Sequence, residues 1–388
     1  MITVASAKQI IAENTLRLPG VKVALRDALQ RRLAEDVFSP ANVPAYAQSG
    51  MDGYAFAYAD WKANKTLPVA GEMAAGNSRQ FLLAPGHAAR IFTGAPLPQG
   101  ADTVVMQEKT AVADNQLTIL DEQLLAGTNV RAEGSAIRAG ELALPHNTLL
   151  TPGAIGFLAG MGIHEVKVYP APSVAIIVTG NELQTPGQPL AFGQVYESNS
   201  FAIEGLLQQL QIRKTRIYHA ADELPVLQKI LQAALEENDM VLLTGGVSVG
   251  DYDFVVAAAS ACGVQQLFHR IQQRPGKPLY FGKKENKLVF GLPGNPSSVL
   301  TCMYEYVLPG LQVTLPVLEV ALEQDVEKPA ALTCFLKGWY NGKTVAPLNA
   351  QESYRMSSFA VANCLIQLEA GNSSCKKDSV VSIHLLQF

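Results

Sequence analysis

From Ser173 onward the chain alternates two hydrophobic patterns. SVAIIVTG, TRIYH and DMVLLTG are apolar or β-branched runs that read as strands, the first of them buried. Between and after them, SFAIEGLLQQL, DELPVLQKILQAALEE and DFVVAAASA space their apolar residues at helical intervals. Strand, helix, strand in this rhythm predicts parallel strands joined by helical crossovers, an α/β sheet. After Pro309 the pattern changes to short apolar stretches, VLEVAL, LIQLE and VVSIHLL, separated by turn residues, which predicts a small all-β domain near 313–388.

The first half is less regular. Residues 7–17 and 25–35 carry helical spacing, whereas 46–140 is rich in Gly, Pro and short alternating runs (HAARIF, DTVVMQ, NQLTIL), the pattern of a small β domain. Thr151-Pro152 ahead of AIGFLAGMG predicts a helix with Pro in its first turn and Gly162 just past its end.

Length agrees with several domains: 388 residues exceed one ordinary domain of about 150. Charged residues make up only 16%, below the roughly 25% of soluble domains, so we expect surface buried between domains or subunits and hence an oligomer. A net charge of -4 without a long Lys/Arg cluster argues against nucleic acid or an anionic membrane as partner. No apolar run reaches the roughly 18 residues of a membrane helix, and the N-terminus lacks signal-peptide order, so a cytoplasmic location is expected. The five cysteines, Cys262, Cys302, Cys334, Cys364 and Cys375, form no CxxC pair, and neither they nor the scattered histidines suggest a zinc site.

In a parallel α/β sheet ligands gather outside the carboxyl ends of the strands. Acids follow all three strands: Glu182 after SVAIIVTGN, Asp222 after TRIYHAA, and Asp251 with Asp253 after MVLLTGGVSVG. Each also has a plain structural reading, Asp222 as a helix N-cap and Glu182 or Asp253 as solvated loop charge. Their convergence on one sheet edge favours a site.

The segment TGGVSVGDYD is not a Walker loop, since Asp251-Tyr252 stands where Lys-Ser/Thr is required. It offers successive backbone N–H groups at Gly245, Gly246 and Gly250, hydroxyls on Thr244 and Ser248, and a helix start immediately after, although a tight turn alone would explain its glycines. In GLPGNPSS, Asn295 is a plausible N-cap and Pro296 the first helical residue, so the helix start would present free N–H groups to an oxyanion. Arg270, Arg274 and Lys277, in or near RPGKP, would add positive charge for a tetrahedral anion, though basic residues on a strand are often a solvated face. SGMDGYAF and IFTGAPLPQGADTVVMQE, which hold Asp52 and Thr93, read from composition alone as turns.

Taken in order, MDGYA, TGAPLPQGADTVVMQE, VTGNEL, ESNS, TGGVSVGDYDF, RPGKP and GLPGNP resemble the motif series of the molybdopterin molybdenumtransferase family, the MoeA type that includes the E domains of gephyrin and the plant enzyme. SSFAVANCLIQL resembles that family's last-domain signature, so the resemblance spans nearly the whole chain. It implies an elongated homodimer and an α/β and β multidomain fold. The expected parts are an extended linking domain (1–45 plus 141–170, the first 20 or so residues packing on the α/β domain), an inserted β domain (46–140), a three-layer α/β molybdopterin-binding domain (171–312) and a C-terminal β-barrel-like domain (313–388).

The resemblance also implies a reaction: molybdate is inserted into the dithiolene of adenylyl-molybdopterin and AMP is released, with a divalent cation, usually Mg2+. The active site lies at the α/β domain and is completed by the β domain of the other subunit. By that resemblance Asp52 and Thr93 are β-domain contributions, Asp251, Glu182 and Asp222 are carboxylates for metal and pterin, and Pro293 and Pro296 are the prolines of the molybdate and pterin loop. Arg270, Arg274, Lys277 and Ser298 are assigned to molybdate. Other molybdenum cofactor biosynthesis proteins are expected partners.

Several positions depart from the family pattern. RAEGSAIRAGE has Ser135 and Ala136 where R-x-x-G-E-D-I carries acids, Asn181 and Glu197 each replace an Asp, and Lys337 stands where Arg is frequent. A member that binds molybdopterin or a partner without catalysing insertion is therefore the alternative. The preceding adenylyltransferase step is a third reading, disfavoured by the inserted and C-terminal domains.

Overall fold

Thr3 starts the first helix, α1 (Val4–Glu13), by accepting the Ser6 N–H on its hydroxyl at 3.1 Å. Val4, Ala7 and Ile11 then fall on one buried stripe. In the computed structural model, which describes residues 1–76, 81–245 and 254–387, this helix belongs with the later part of the chain. Met1–Leu18 and Ala171–Phe388 form one unit and Pro19–Pro170 the other.

The alternating half of the sequence builds β1 (Val174–Thr179), α2 (Asn199–Gln209), β2 (Thr215–Ala220), α3 (Leu224–Glu237), β3 (Met240–Thr244), α4 (Phe254–Ala261), β4 (Gln265–His269), β5 (Tyr280–Lys284), β6 (Lys287–Leu292) and α5 (Pro296–Cys302). The sheet order is β2-β1-β3-β6-β5-β4. β2, β1, β3 and β6 run parallel, and β5 and β4 are added antiparallel. Side chains of β1 alternate between two cores: Ile176 packs with residues of α1, α2 and α5, while Ala175 and Ile177 pack with residues of α3 and α4. That division explains why the central strands are apolar throughout, and it makes three layers.

The C-terminal part is a barrel. Val317–Leu322, Thr333–Tyr340, Thr344–Pro347, Cys364–Leu368 and Val380–Leu385 form one sheet, closed by pairing of Thr333–Tyr340 with Cys364–Leu368. Gln273–Arg274, from the α/β segment, adds a short strand beside Thr333 and Cys334. The barrel sheet thus draws on residues outside 313–388. Among the described residues no helix is long and apolar enough to cross a membrane, and the five cysteines are free thiols.

In the other unit a six-stranded sheet is ordered Thr103–Met106, Gly53–Phe56, Ala88–Ile91, Thr66–Met73, Gln116–Ile119 and Thr110–Ala113. The chain enters and leaves it through antiparallel pairs, Val21–Ala24 with Glu165–Val168 and Val37–Phe38 with Leu142–Leu144. The helix predicted from Pro152 to just before Gly162 is present, over Pro152–Gly160, with Thr151 capping the Ala154 N–H.

A helix over 25–35 is not. Only Leu25–Asp27 makes a 3-10 turn, and Gln30 at φ 62 ends any continuation. Leu25, Ala28 and Leu33 have helical spacing because they enter one small core from a bent, mostly extended segment.

Candidate functional site

Register fixes what meets at the carboxyl edge of the α/β sheet. Thr179 pairs with Ala220, Val178 with Thr244, and Thr244 with Leu292, so the strand ends at Thr179, Ala220, Thr244 and Leu292 lie side by side. Gly245 turns away at φ 85, where a Cβ would stand 2.2 Å from the Thr179 carbonyl oxygen. Glycine is required there both by conformation and by space.

A side chain to which the sequence reading gave no role connects two of these segments. Asn199, at the start of α2, donates through Nδ2 to Thr244 Oγ1 at 2.7 Å and to the Gly294 carbonyl at 2.9 Å. A carbonyl can only accept, so the amide orientation is determined. Its Oδ1 is buried without a partner. The available signal was ESNS itself, a polar run opening a helix beside the sheet edge. Glu197, in place of the family's Asp, is buried and caps this helix, accepting the Ser200 N–H at 2.9 Å and hydroxyl at 2.5 Å.

The two predicted anion segments meet. A Cβ on Gly276 would lie 2.6 Å from Cys302 Sγ and 3.7 Å from the Ser298 carbonyl, so the RPGKP turn rests directly on α5. Gln273 secures the turn by donating to the Gly276 carbonyl at 3.0 Å. Arg274 and Lys277 are exposed; Pro293 and Ser298 are buried and Pro296 half-buried. Arg270 is half-buried, has φ 83, and holds its Nε without a hydrogen-bond partner. Thr244, at the end of β3, has its side chain buried and its hydroxyl oxygen taken by Asn199.

At the start of α5 the expectation needs adjustment. Asn295 is the cap residue, yet its side chain makes no cap bond and donates instead to Ser353 Oγ at 2.8 Å. The Ser297 N–H is also committed, to the Ser353 carbonyl at 3.0 Å. Fewer N–H groups are open to an anion than the sequence alone suggested.

Glu182 folds back over Gly180, where a Cβ would be 2.9 Å from its Oε2. Asp222 is half-buried beyond β2, and Glu223, not Asp222, is the residue at the cap position of α3. Neither carboxylate has a hydrogen-bond partner among the described residues. Gly246, Ser248, Gly250, Asp251 and Asp253 lie outside the described residues. Among the described ones no group of three His, Cys, Asp or Glu side chains forms a metal centre.

In the other unit, Asp52 and Thr93 come together from loops distant in sequence. Asp52 Oδ1 accepts the Thr93 N–H and hydroxyl, each at 2.7 Å. The Thr93 N–H, the Thr93 hydroxyl and then the Arg90 charge hold this exposed carboxyl below the usual carboxylate range. Arg90 is fixed by the Gly53 carbonyl at 3.1 Å and by the rings of Tyr54 and Phe92. Near Ala136 the remaining acids are engaged locally: Glu133 accepts from Asn42 Nδ2 at 2.6 Å, and Glu141 from the Arg138 N–H at 3.0 Å.

Comparison with known proteins covers the same parts. Residues 2–162 match the MoeA N-terminal region (domain I and II), residues 175–313 the probable molybdopterin binding domain, and residues 319–386 the MoeA C-terminal region (domain IV). A molybdopterin molybdenumtransferase of Haemophilus influenzae is 35% identical over 93% of this chain and 94% of its own length. One from Staphylococcus aureus is 31% identical over 100% and 96%. The crystal structure of a molybdopterin biosynthesis MoeA protein from Pyrococcus horikoshii is similar over 100% of both chains, with a TM-score of 0.85 and 27% identity.

Proposed function

The chain belongs to the MoeA-type molybdopterin molybdenumtransferases, transferases that insert molybdenum in molybdenum cofactor biosynthesis, and from that premise we propose how its residues carry the step. The substrates are molybdate and adenylyl-molybdopterin, and AMP is the second product. The observation that supports this reading best is the meeting of the RPGKP turn with the start of α5 beside the carboxyl edge of β3 and β6.

Molybdate is a compact dianion. Arg270, Arg274 and Lys277 neutralise it, and Ser298 adds a directional donor near the positive end of a helix. Pro293 and Pro296 restrict the loop, so little ordering is left to occur when the anion binds. The pterin lies along Thr244–Gly250, where Gly245 keeps the backbone clear of a side chain.

Glu182, Asp222 and Asp251 would hold the divalent cation. Their chemistry fits: all are oxygen donors, as Mg2+ requires, and Glu182 and Asp222 have no hydrogen-bond partner among the described residues. When bound, the ion supplies neutralisation of the phosphate oxygens next to the bond that breaks. No side chain is needed as a covalent nucleophile, because the dithiolene sulfurs of the substrate attack molybdenum. The protein orients the two substrates and offsets their charge.

Asp52 and Thr93 act in a homodimer, as the other subunit's contribution. Asp52 is preset as a carboxylate by its two Thr93 bonds. The protein works in the cytoplasm with other proteins of the same pathway. Purified protein with adenylyl-molybdopterin and Mg2+ should release AMP only when molybdate is added; release independent of molybdate contradicts the assignment.

One observation favours a second reading, binding with little turnover. Ala136 stands where the family has an acid, and Glu133 and Glu141 are already bonded elsewhere. Ala136 is exposed, so Ala136→Asp is tolerated sterically. A large gain in turnover in that variant supports the second reading, and an unchanged rate removes it.

A further inference from the structure

The residues ahead of α1 pair with the segment that leads into the RPGKP turn. The Ile2 N–H donates to the Arg270 carbonyl at 3.2 Å and the Gln272 N–H donates to the Ile2 carbonyl at 2.8 Å, which makes a parallel bridge between Ile2 and Ile271. Ile271 is fully buried, and Ile2 packs against the same core. The turn is closed at its base by two further bonds, Arg270 N–H to the Leu279 carbonyl at 3.2 Å and Ile271 N–H to the Lys277 carbonyl at 3.0 Å.

Arg270 stands at φ 83, a conformation that a residue with a side chain keeps only where its surroundings hold it. Both of its main-chain groups are held, the N–H by Leu279 and the carbonyl by Ile2. Its guanidinium has no hydrogen-bond or ion-pair partner among the described residues, and Nε is buried. The main chain at Arg270 is therefore what directs this side chain.

Ile2 is itself anchored from behind. Thr3 caps α1, Lys8 Nζ donates to Glu305 Oε2 at 2.6 Å and to Gln367 Oε1 at 3.4 Å, and the Leu16 N–H donates to the Gly310 carbonyl at 2.9 Å. The segment is thus tied to the helical run after α5 and to the barrel strand Cys364–Leu368. The apolar stripe of α1 is Val4, Ala7 and Ile11, all after the bridge. Packing of the helix alone does not call for the two bonds that Ile2 makes.

We propose that Ile2 is a positioning residue for molybdate: its main chain holds Arg270 in the left-handed conformation that aims the guanidinium at the anion. Ile2 does not touch the anion. The inference rests on the assignment of molybdate to Arg270 and the RPGKP turn.

The test uses the full-length protein with Ile2→Pro, Ile2→Ala, Thr3→Ala, Arg270→Ala and Ile2→Pro combined with Arg270→Ala, reading KM for molybdate, kcat and amide exchange at Gln272. Ile2→Pro removes the N–H that holds the Arg270 carbonyl, whereas Ile2→Ala keeps both main-chain bonds and loses only packing. KM for molybdate should rise about fivefold in Ile2→Pro and stay within about twofold in Ile2→Ala. Thr3→Ala, which frees the start of α1 beside Ile2, should raise it about threefold. Saturating kcat should stay within about twofold in all three, and exchange at Gln272 should quicken in Ile2→Pro and Thr3→Ala. Arg270→Ala should raise KM about tenfold, and adding Ile2→Pro to it should raise KM no further, because the two act through one guanidinium.

An unchanged KM in Ile2→Pro, or in Thr3→Ala if Ile2→Pro does not fold, overturns the role of Ile2 while a raised KM in Arg270→Ala keeps molybdate at the turn. A further rise in the combined variant overturns it too, since Ile2 would then act by another route. A KM unchanged in Arg270→Ala removes the anion from Arg270, and the role of Ile2 with it.

Discussion

The Asn199 amide donates to the Gly294 carbonyl at 2.9 Å while the same nitrogen reaches Thr244 Oγ1 at 2.7 Å. One short side chain thereby couples the start of α2, the end of β3 and the loop after β6. Replacing it with Ala removes both bonds without adding bulk. Asn199→Ala should lower stability by about 1 kcal/mol and insertion by about tenfold, since the loop loses one of its two supports. Thermal unfolding and AMP release report the two effects separately.

Gly245 is a harsher test of the same edge. Alanine there must adopt φ 85 and place its Cβ 2.2 Å from the Thr179 carbonyl, which is backbone of a central strand and cannot swing aside. Left-handed backbone alone costs about 1–2 kcal/mol. Gly245→Ala should therefore be destabilised by more than that and lose pterin binding, read by fluorescence of bound molybdopterin. A stable variant with full binding would show that the strand ends shift freely.

Thr93 should govern the titration of Asp52. The depressed carboxyl is ionised at neutral pH, and the stability linked to it is present above pH 3.8 and lost as pH falls through the lower folded-state value. Thr93→Val keeps the N–H and removes the hydroxyl, so the Asp52 carboxyl should titrate at higher pH, as NMR of its side-chain carbon would report. An unmoved titration would show that the hydroxyl bond is not maintained in solution.

Away from the site, Glu305 joins three parts of its unit. Its Oε2 accepts from Lys8 Nζ and its Oε1 from His384 Nδ1, both at 2.6 Å, so α1, the helical run after α5 and the last barrel strand share one buried carboxylate. Burial pushes this carboxyl up, but the His384 bond and the Lys8 charge outweigh it and hold the group below 4.5. Its contribution is accordingly full above pH 4.5 and declines as pH falls through the folded-state value. Glu305→Gln should cost about 3 kcal/mol at neutral pH and flatten the acid limb of a denaturation-versus-pH curve. Lys8→Ala should cost less, because its ammonium, 33% exposed, already reaches water.

How far the sequence anticipates this molecule depends on range. β1, β3 and the helices between them are legible because strands buried on both faces must be apolar and crossover helices must be amphipathic. Residues 25–35 mislead because Leu25, Ala28 and Leu33 meet one core from a bent segment, and spacing alone cannot distinguish that from a helix. The short strand Gln273–Arg274 is invisible because its partner, Thr333–Cys334, is remote in sequence. A topological rule names Asp222 and Glu182 as candidates, whereas Asp52 and Thr93 become candidates only through resemblance, since their pairing spans two unrelated loops. Asn199 lies in ESNS, a polar run opening a helix, and Lys337 stands where the family often has Arg, but neither signal names the partners of these residues. Their roles exist only in the contacts they make.

The central claim is tested most directly by single-turnover AMP release from adenylyl-molybdopterin, with Mg2+ and increasing molybdate, in the natural protein and in Arg274→Ala. A saturable molybdate requirement whose half-point rises by about tenfold on loss of the guanidinium is predicted. A molybdate requirement identical in the two proteins would contradict the assignment of the anion to the RPGKP and GLPGNPSS loops.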